Sequence, residues 1–159
     1  VRLDSPGPAI YRQKRVGRFG KHFVMLKFRT MKVGTPVLST EEMQRRSSIP
    51  FTRIGPFLRK SNLDELPQLW NILRGEMSFI GPRPALPSQE DVVTLREKLG
   101  AHRVRPGITG LAQVMGRDDL DVKTKVDYDA EYCRKLSFLF DMKVFCLTFS
   151  AVLSARGNK

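Results

Sequence analysis

Proline and glycine cut this chain into short pieces. Ser5-Pro-Gly-Pro8 is a rigid turn, Gly81-Pro-Arg-Pro84 has to be irregular, and Arg103–Gly110 is a basic loop bent by Pro106 and Gly107. Proline fixes φ, and glycine opens conformations that other residues avoid. Regular structure is therefore confined to the stretches between these points. Ala9–Gln13 and His22–Phe28 read as two strands joined around Gly17-Arg-Phe-Gly20, a hairpin. Residues 33–50 are polar and broken by Pro36 and Pro50, which predicts a mobile loop, with a short helix over Thr40–Arg46 as the alternative.

Helical periodicity starts near Leu63. Ser61 or Asn62 can cap that helix, and Asp64 and Glu65 fall in its first turn, where the dipole favours anions. Pro67 is tolerated only near a helix start. Leu66, Leu69, Trp70 and Leu73 follow at i, i+3, i+4, i+7 as one apolar stripe, and Gly75 ends the run. A second helix spans about Gln89–Leu99, with Ser88 as cap, Val92, Leu95 and Leu99 as stripe and Gly100 as stop. A third covers Val122–Leu136 and carries Asp127, Asp129 and Glu131. Phe138–Leu153 is apolar almost all round, which fits burial against protein or immersion at a bilayer interface; burial is the favoured expectation. No uncharged apolar run reaches the roughly 18 residues of a spanning helix.

A length of 159 residues, 41% apolar and 28% charged, describes one globular domain and excludes a disordered chain. The net charge of +12 calls for an anionic partner: nucleic acid, a phosphorylated small molecule or an anionic membrane. The excess is concentrated, since residues 1–32 hold nine Lys/Arg against the single acid Asp4. Two cysteines, Cys133 and Cys146, are too few for a disulfide scaffold and lack zinc-ligand spacing. Residue 1 is Val and no signal peptide is visible, so a fragment of a longer protein is expected.

P-loop, H-E-x-x-H and G-x-S-x-G patterns are missing, and His22 and His102 are the only histidines, without a supporting motif. What remains is carboxylate chemistry among arginines. Asp64-Glu65 follows Arg59 and Lys60, while Arg83 and Arg105 lie in proline-stiffened loops, where a guanidinium fork can meet phosphate bidentately. The plain alternative for the acidic pair is helix capping. Three points favour chemistry. A helix N-terminus binds phosphate. An aspartate with a reference pKa of about 3.9 is ionised at neutral pH and attacks phosphorus without a general base. Adjacent carboxylates suit Mg²⁺, which keeps waters and takes one or two carboxylates plus substrate phosphate. Neighbours on a helix point about 100° apart, so Asp64 and Glu65 have separate jobs.

The motifs together resemble the bacterial sugar transferase family, the monotopic polyprenyl-phosphate sugar-1-phosphate transferases or phosphoglycosyl transferases. The matching stretches are Asp4–Pro8, Tyr11-Arg-Gln-Lys-Arg-Val-Gly17, Lys27-Phe-Arg-Thr-Met31, Leu63-Asp-Glu-Leu-Pro-Gln-Leu-Trp-Asn71, Gly81-Pro-Arg-Pro84, Arg105-Pro-Gly-Ile-Thr-Gly110, Ala112-Gln113 and Tyr128-Asp129. The resemblance implies an α+β fold: a compact single domain over 1–159, mainly helical, with a short N-terminal β-hairpin and interfacial helices. It implies that Asp64 attacks the β-phosphorus of a UDP-sugar, that UMP leaves, and that a polyprenyl phosphate such as undecaprenyl phosphate then takes the sugar-1-phosphate. Glu65 matches the second member of the dyad, and both are implied to hold Mg²⁺. Lys27, Arg29, Arg59, Arg83 and Arg105 are assigned to phosphate binding, with Gln113 and Asp129 as further site candidates. The implied location is the cytoplasmic face of the bacterial inner membrane. Family members carry a hydrophobic segment before the Asp-Ser-Pro-Gly-Pro stretch, and this chain is expected to be the catalytic domain without it. Met115 and Leu111 stand where relatives often have Asn and Trp.

The rival reading is a nucleic-acid-binding module. Gly17-Arg-Phe-Gly20 and Gly107-Ile-Thr-Gly110 match the GXXG loop of KH domains, although Pro106 is awkward in a helix preceding the second copy and no RNP-like motif appears.

Overall fold

The computed structural model describes residues 1, 4–36, 50–116 and 120–153, so the loop alternatives for 40–46 lie outside the described residues. The hairpin forms, with β1 (Ile10–Val16) longer than its sequence reading and β2 (His22–Phe28) as expected. They pair antiparallel from Ile10↔Phe28 to Val16↔His22. A 3-10 turn at Arg18–Gly20 closes the tip, and Phe19 takes a left-handed φ of 55° there. The period-2 alternation of the strands puts Gln13, Phe23 and Met25 inside and Arg12, Lys14, His22 and Val24 in solvent.

Helices α1 (Gly55–Lys60) and α2 (Gln68–Leu73) flank a 3-10 turn over Leu63–Glu65. The single helix expected from Leu63 is therefore two pieces. Pro67 supplies no donor and becomes the residue before α2, and Asn62 enters the 3-10 turn with a left-handed φ of 56° without giving a side-chain cap. Strand β3 (Ser78–Ile80) then pairs in parallel with β4 (Gly107–Thr109). That short sheet was not legible in a loop rich in proline and glycine. Its glycines explain it. A Cβ on Gly107 would lie 2.2 Å from the Gly81 nitrogen, and one on Gly110 would lie 2.2 Å from the Gly81 oxygen. Only bare backbones can come this close.

Helix α3 (Glu90–Lys98) starts after Gln89, not at a Ser88 cap; the Gln89 side chain instead accepts a hydrogen bond from the Leu86 amide at 3.0 Å. After a 3-10 turn at Ala101–Arg103 and the strand β4 come α4 (Leu111–Met115), α5 (Val122–Arg134) and α6 (Phe138–Leu153). Asp121 caps α5, taking the Thr124 amide at 2.9 Å. Among the described residues, six helices around small sheets make the domain α+β. The first GXXG stretch closes a hairpin and the second is strand β4 leading into α4, so neither copy is the loop between two helices and the KH reading loses its support.

The core lies in three clusters. Ile80, Leu111, Tyr132 and Val144 join β3, α4, α5 and α6. Phe23, Met25 and Met77 sit under the hairpin, and Ala85, Val92 and Val126 join α3 to α5. Helix α6 is not enclosed, contrary to the favoured expectation. Val144 is fully buried, while Phe138, Leu139, Phe145 and Phe149 are each more than half exposed. Polar ties hold its inner face: Tyr132 donates to Asp141 at 2.7 Å, and the Thr109 and Thr148 hydroxyls meet at 2.8 Å.

Asp129 is placed in this framework. It is buried between α3 and α5, where Arg96 donates through Nε and Nη2 to its Oδ2 at 2.9 and 2.6 Å. Burial pushes the Asp129 carboxyl up, and Arg96 opposes that rise. Replacing Arg96 with Met leaves the acid unpaired in the core. The expected loss is about 3–5 kcal/mol in urea unfolding at neutral pH. It shrinks as pH falls and the folded state takes up the Asp129 proton.

Candidate active site

Helix α2 is inverted. Its buried residues are the polar Gln68 and Asn71, while the stripe Leu66, Leu69, Trp70 and Leu73 faces out, 41–78% exposed. Asn71 explains the orientation. Its Oδ1 accepts the Leu26 amide at 3.1 Å, and its Nδ2 donates to the Val24 carbonyl at 2.8 Å and to Glu76 at 2.7 Å. A side-chain amide here stands in for a strand neighbour along β2. Such a buried amide is costly unless fully paired, so this pairing fixes α2, and the turn before it, against β2.

The acidic turn consequently meets Lys27 on β2. Lys27 Nζ lies 2.6 Å from Glu65 Oε1 and 4.0 Å from Asp64 Oδ2. Arg83, from the Gly-Pro-Arg-Pro turn, donates to the same Glu65 oxygen at 3.0 Å. Burial by itself pushes the Glu65 carboxyl up, but Arg83 and Lys27 outweigh it by charge and hydrogen bonding and hold it far below the usual carboxylate range. Asp64 differs. It is 7% exposed and accepts no hydrogen bond among the described residues. Burial raises its carboxyl above the ordinary range and Glu65 adds to the rise, while Lys27, Arg59 and Arg83 oppose it. The adjacent acids thus differ: Glu65 is an anion clamped by two cations, and Asp64 is a more basic carboxylate 4.0 Å from Lys27 Nζ.

Arg59, in the last turn of α1, stacks over Phe51 at 5.4 Å and contributes its charge at Asp64. The Arg105 guanidinium lies by Gly75, after α2; no ion pair joins it to the acids among the described residues. Three candidates have partners elsewhere. Arg29 is buried and donates to the carbonyls of Pro8, Ser5 and Met31 at 2.7, 2.9 and 3.4 Å, so it straps down the Ser5–Pro8 turn. Gln113 donates to the Ile108 carbonyl at 3.1 Å, and Asp129 belongs to Arg96.

The sequence reading also missed two residues. Gln68, 2% exposed, has an Nε2 without a partner among the described residues. Arg15 touches the turn that carries Arg83. A signal for Arg15 existed: alternation from buried Gln13 puts it on the same inward strand face.

Among the described residues no three His, Cys, Asp or Glu side chains converge as a metal cage. The acids fit Mg²⁺ in its other mode, one or two carboxylates completed by substrate phosphates and water. Lys27 and Arg83 converge on Glu65 Oε1, and Asp64 accepts no hydrogen bond among the described residues.

The family profile for bacterial sugar transferases matches residues 1–155. A UDP-glucose:undecaprenyl-phosphate glucose-1-phosphate transferase of Escherichia coli (strain K12) is 44% identical over 156 residues, covering 93% of this chain and 33% of the relative. The protein of that name from Xanthomonas campestris pv. campestris is 39% identical over 163 residues, covering 98% of this chain and 34% of the relative. The exopolysaccharide production protein ExoY of Rhizobium meliloti (strain 1021) is 38% identical over 176 residues, covering 99% and 76%. The chain spans about a third of the first two relatives and three quarters of the third. With the acidic turn, the Gly-Pro-Arg-Pro turn and nearly the whole length matched, the chain belongs to the bacterial sugar transferase family.

Proposed function

We propose that this domain transfers sugar-1-phosphate from a UDP-sugar to a polyprenyl phosphate, such as undecaprenyl phosphate, through an intermediate on Asp64. The observation that carries it is the Asp64 carboxylate, buried, raised in basicity and without a hydrogen bond among the described residues, beside a Lys27–Glu65–Arg83 cluster. The names of the relatives supply the substrate classes.

In the first step an Asp64 oxygen bonds to the β-phosphorus, and the bond from that phosphorus to the bridging oxygen breaks. UMP departs with that oxygen. Lys27, Arg59 and Arg83 offset the repulsion between two anions and stabilise charge on the phosphoryl oxygens. In the second step an oxygen of the polyprenyl phosphate bonds to the same phosphorus. The aspartyl–phosphorus bond breaks, the carboxylate is restored, and the product is a polyprenyl diphosphate sugar. Glu65 holds Lys27 and Arg83 in place through both steps. Mg²⁺, held by Asp64 or Glu65 with the diphosphate, would add Lewis-acid stabilisation.

The test is UMP release from a panel of UDP-sugars by the full-length protein in membranes, with intact-mass detection of the phosphosugar adduct. Release with an adduct on the Asp64 peptide is expected; release without any adduct refutes the covalent route. EDTA is expected to stop release and added Mg²⁺ to restore it.

The domain is also proposed to work on the cytoplasmic face of the inner membrane. Helices α2 and α6 turn apolar residues outward, and no helix among the described residues is long and apolar enough to cross a bilayer. The basic N-terminal segment adds attraction to anionic lipid of about 1 kcal/mol for each Lys/Arg near the surface. Flotation with vesicles is expected to rise with anionic lipid content and fall with salt; indifference to both counts against this role.

A further inference from the structure

The turn that presents Arg83 is fastened at both ends. On one side the Gly81 amide donates to the Thr109 carbonyl at 2.8 Å and the Gly107 amide to the Pro82 carbonyl at 2.9 Å. On the other, the Val16 amide donates to Ala85 at 2.9 Å, and Arg15 Nη1 donates to the Pro84 carbonyl at 2.8 Å. Arg15 Nε and Nη2 both reach Gln13 Oε1, at 3.0 and 2.6 Å. Thus three of the five N–H groups of a partly buried guanidinium are bonded among the described residues, all to neutral oxygens. No carboxylate pairs with it among the described residues.

That choice of partners is unusual for a buried cation, which is ordinarily neutralised. Gln13 could accept the same two bonds as a glutamate and would then cancel the charge. Here the charge is kept, inside the field of Arg83, Tyr11 and Glu65. Burial lowers the Arg15 guanidinium only to about 10, with Arg83 pushing the same way and Tyr11 and Glu65 opposing, so it remains a cation at neutral pH.

We infer that Arg15 is a positioning residue of the phosphate site: it pins Pro84 so that Arg83 reaches Glu65, and it keeps an uncancelled positive charge behind that arginine for the anionic substrate. The inference rests on the diphosphate-sugar reading above. Arg15 acts through Arg83 and the local potential and does not touch the reacting atoms.

The test uses the full-length protein as wild type, Arg15→Gln, Arg15→Lys and Gln13→Glu. Two readouts are taken: UMP release against UDP-sugar concentration, and the rate at which phenylglyoxal labels Arg83 without substrate, followed by peptide mass spectrometry with thermal melting alongside. Arg15→Gln is expected to lower kcat/KM at least about tenfold and to speed Arg83 labelling. Arg15→Lys, which keeps the charge and loses the fork, recovers part of kcat/KM and leaves Arg83 labelling fast. Gln13→Glu keeps the fork, the melting temperature and slow labelling, yet raises KM for the UDP-sugar several-fold.

A purely structural Arg15 predicts otherwise: Gln13→Glu at wild-type kcat/KM, or Arg15→Gln with slow Arg83 labelling. Either result overturns the inference. If the wild type itself releases no UMP, the reading of the reaction falls, and the Arg83 labelling rates alone decide on Arg15.

Discussion

Asp64→Asn is expected to reduce UMP release at least about 10⁴-fold and to remove the phosphosugar adduct from the intact-mass spectrum. Asparagine keeps the shape of the turn but offers no anionic oxygen to phosphorus. Asp64 accepts no hydrogen bond among the described residues, so the exchange breaks none, and the melting temperature is expected to hold. Removing a desolvated charge favours the fold, which makes the expected loss a loss of chemistry. Undiminished transfer to the lipid acceptor in this variant would exclude the covalent route.

Glu65→Gln is expected to cost about 10²-fold in kcat, for a different reason. Glu65 Oε1 holds both Lys27 Nζ and Arg83 Nη2. A neutral amide holds two cations less well, and both lose their aim. The residual activity carries a diagnostic pH shift. In the wild type, burial first and Glu65 second raise the Asp64 carboxyl, so UMP release is expected to fall on the acid side as Asp64 takes up its proton. Glu65 stays ionised across that range and contributes nothing to that limb. Glu65→Gln removes one source of the rise and releases Lys27 and Arg83 to act on Asp64. The acid limb is expected to move to lower pH, and movement to higher pH would refute the division of roles between the two carboxylates.

The hairpin, the helix following Asp121 and the helix from Phe138 were legible because each rests on an uninterrupted local pattern. The pairing of β3 with β4 was not, since what makes it is the absence of side chains at Gly81, Gly107 and Gly110, and glycine in sequence reads as a loop. The stripe at Leu66, Leu69, Trp70 and Leu73 was found with the right period, but period carries no information about which side is dry. In the site, Asp64, Glu65, Lys27 and Arg83 come together as the motifs implied. Arg29 shows the limit of reading motifs: the same stretch that delivers Lys27 to the acids delivers Arg29 to the carbonyls of Ser5 and Pro8. Strand alternation does not separate the two, because residues 27 and 29 share a parity; Arg29 lies just beyond the end of β2.

Asn71 has a practical consequence for handling this protein. The segment bearing Asp64 is moored to β2 by amide hydrogen bonds and by Ile72, while the outward Leu66, Leu69, Trp70 and Leu73 stay exposed. Detergents compete for oily surface and leave well-buried amide pairs alone. Detergent is therefore expected to cover the outward leucines and Trp70 while the Asp64 carboxylate keeps its seat.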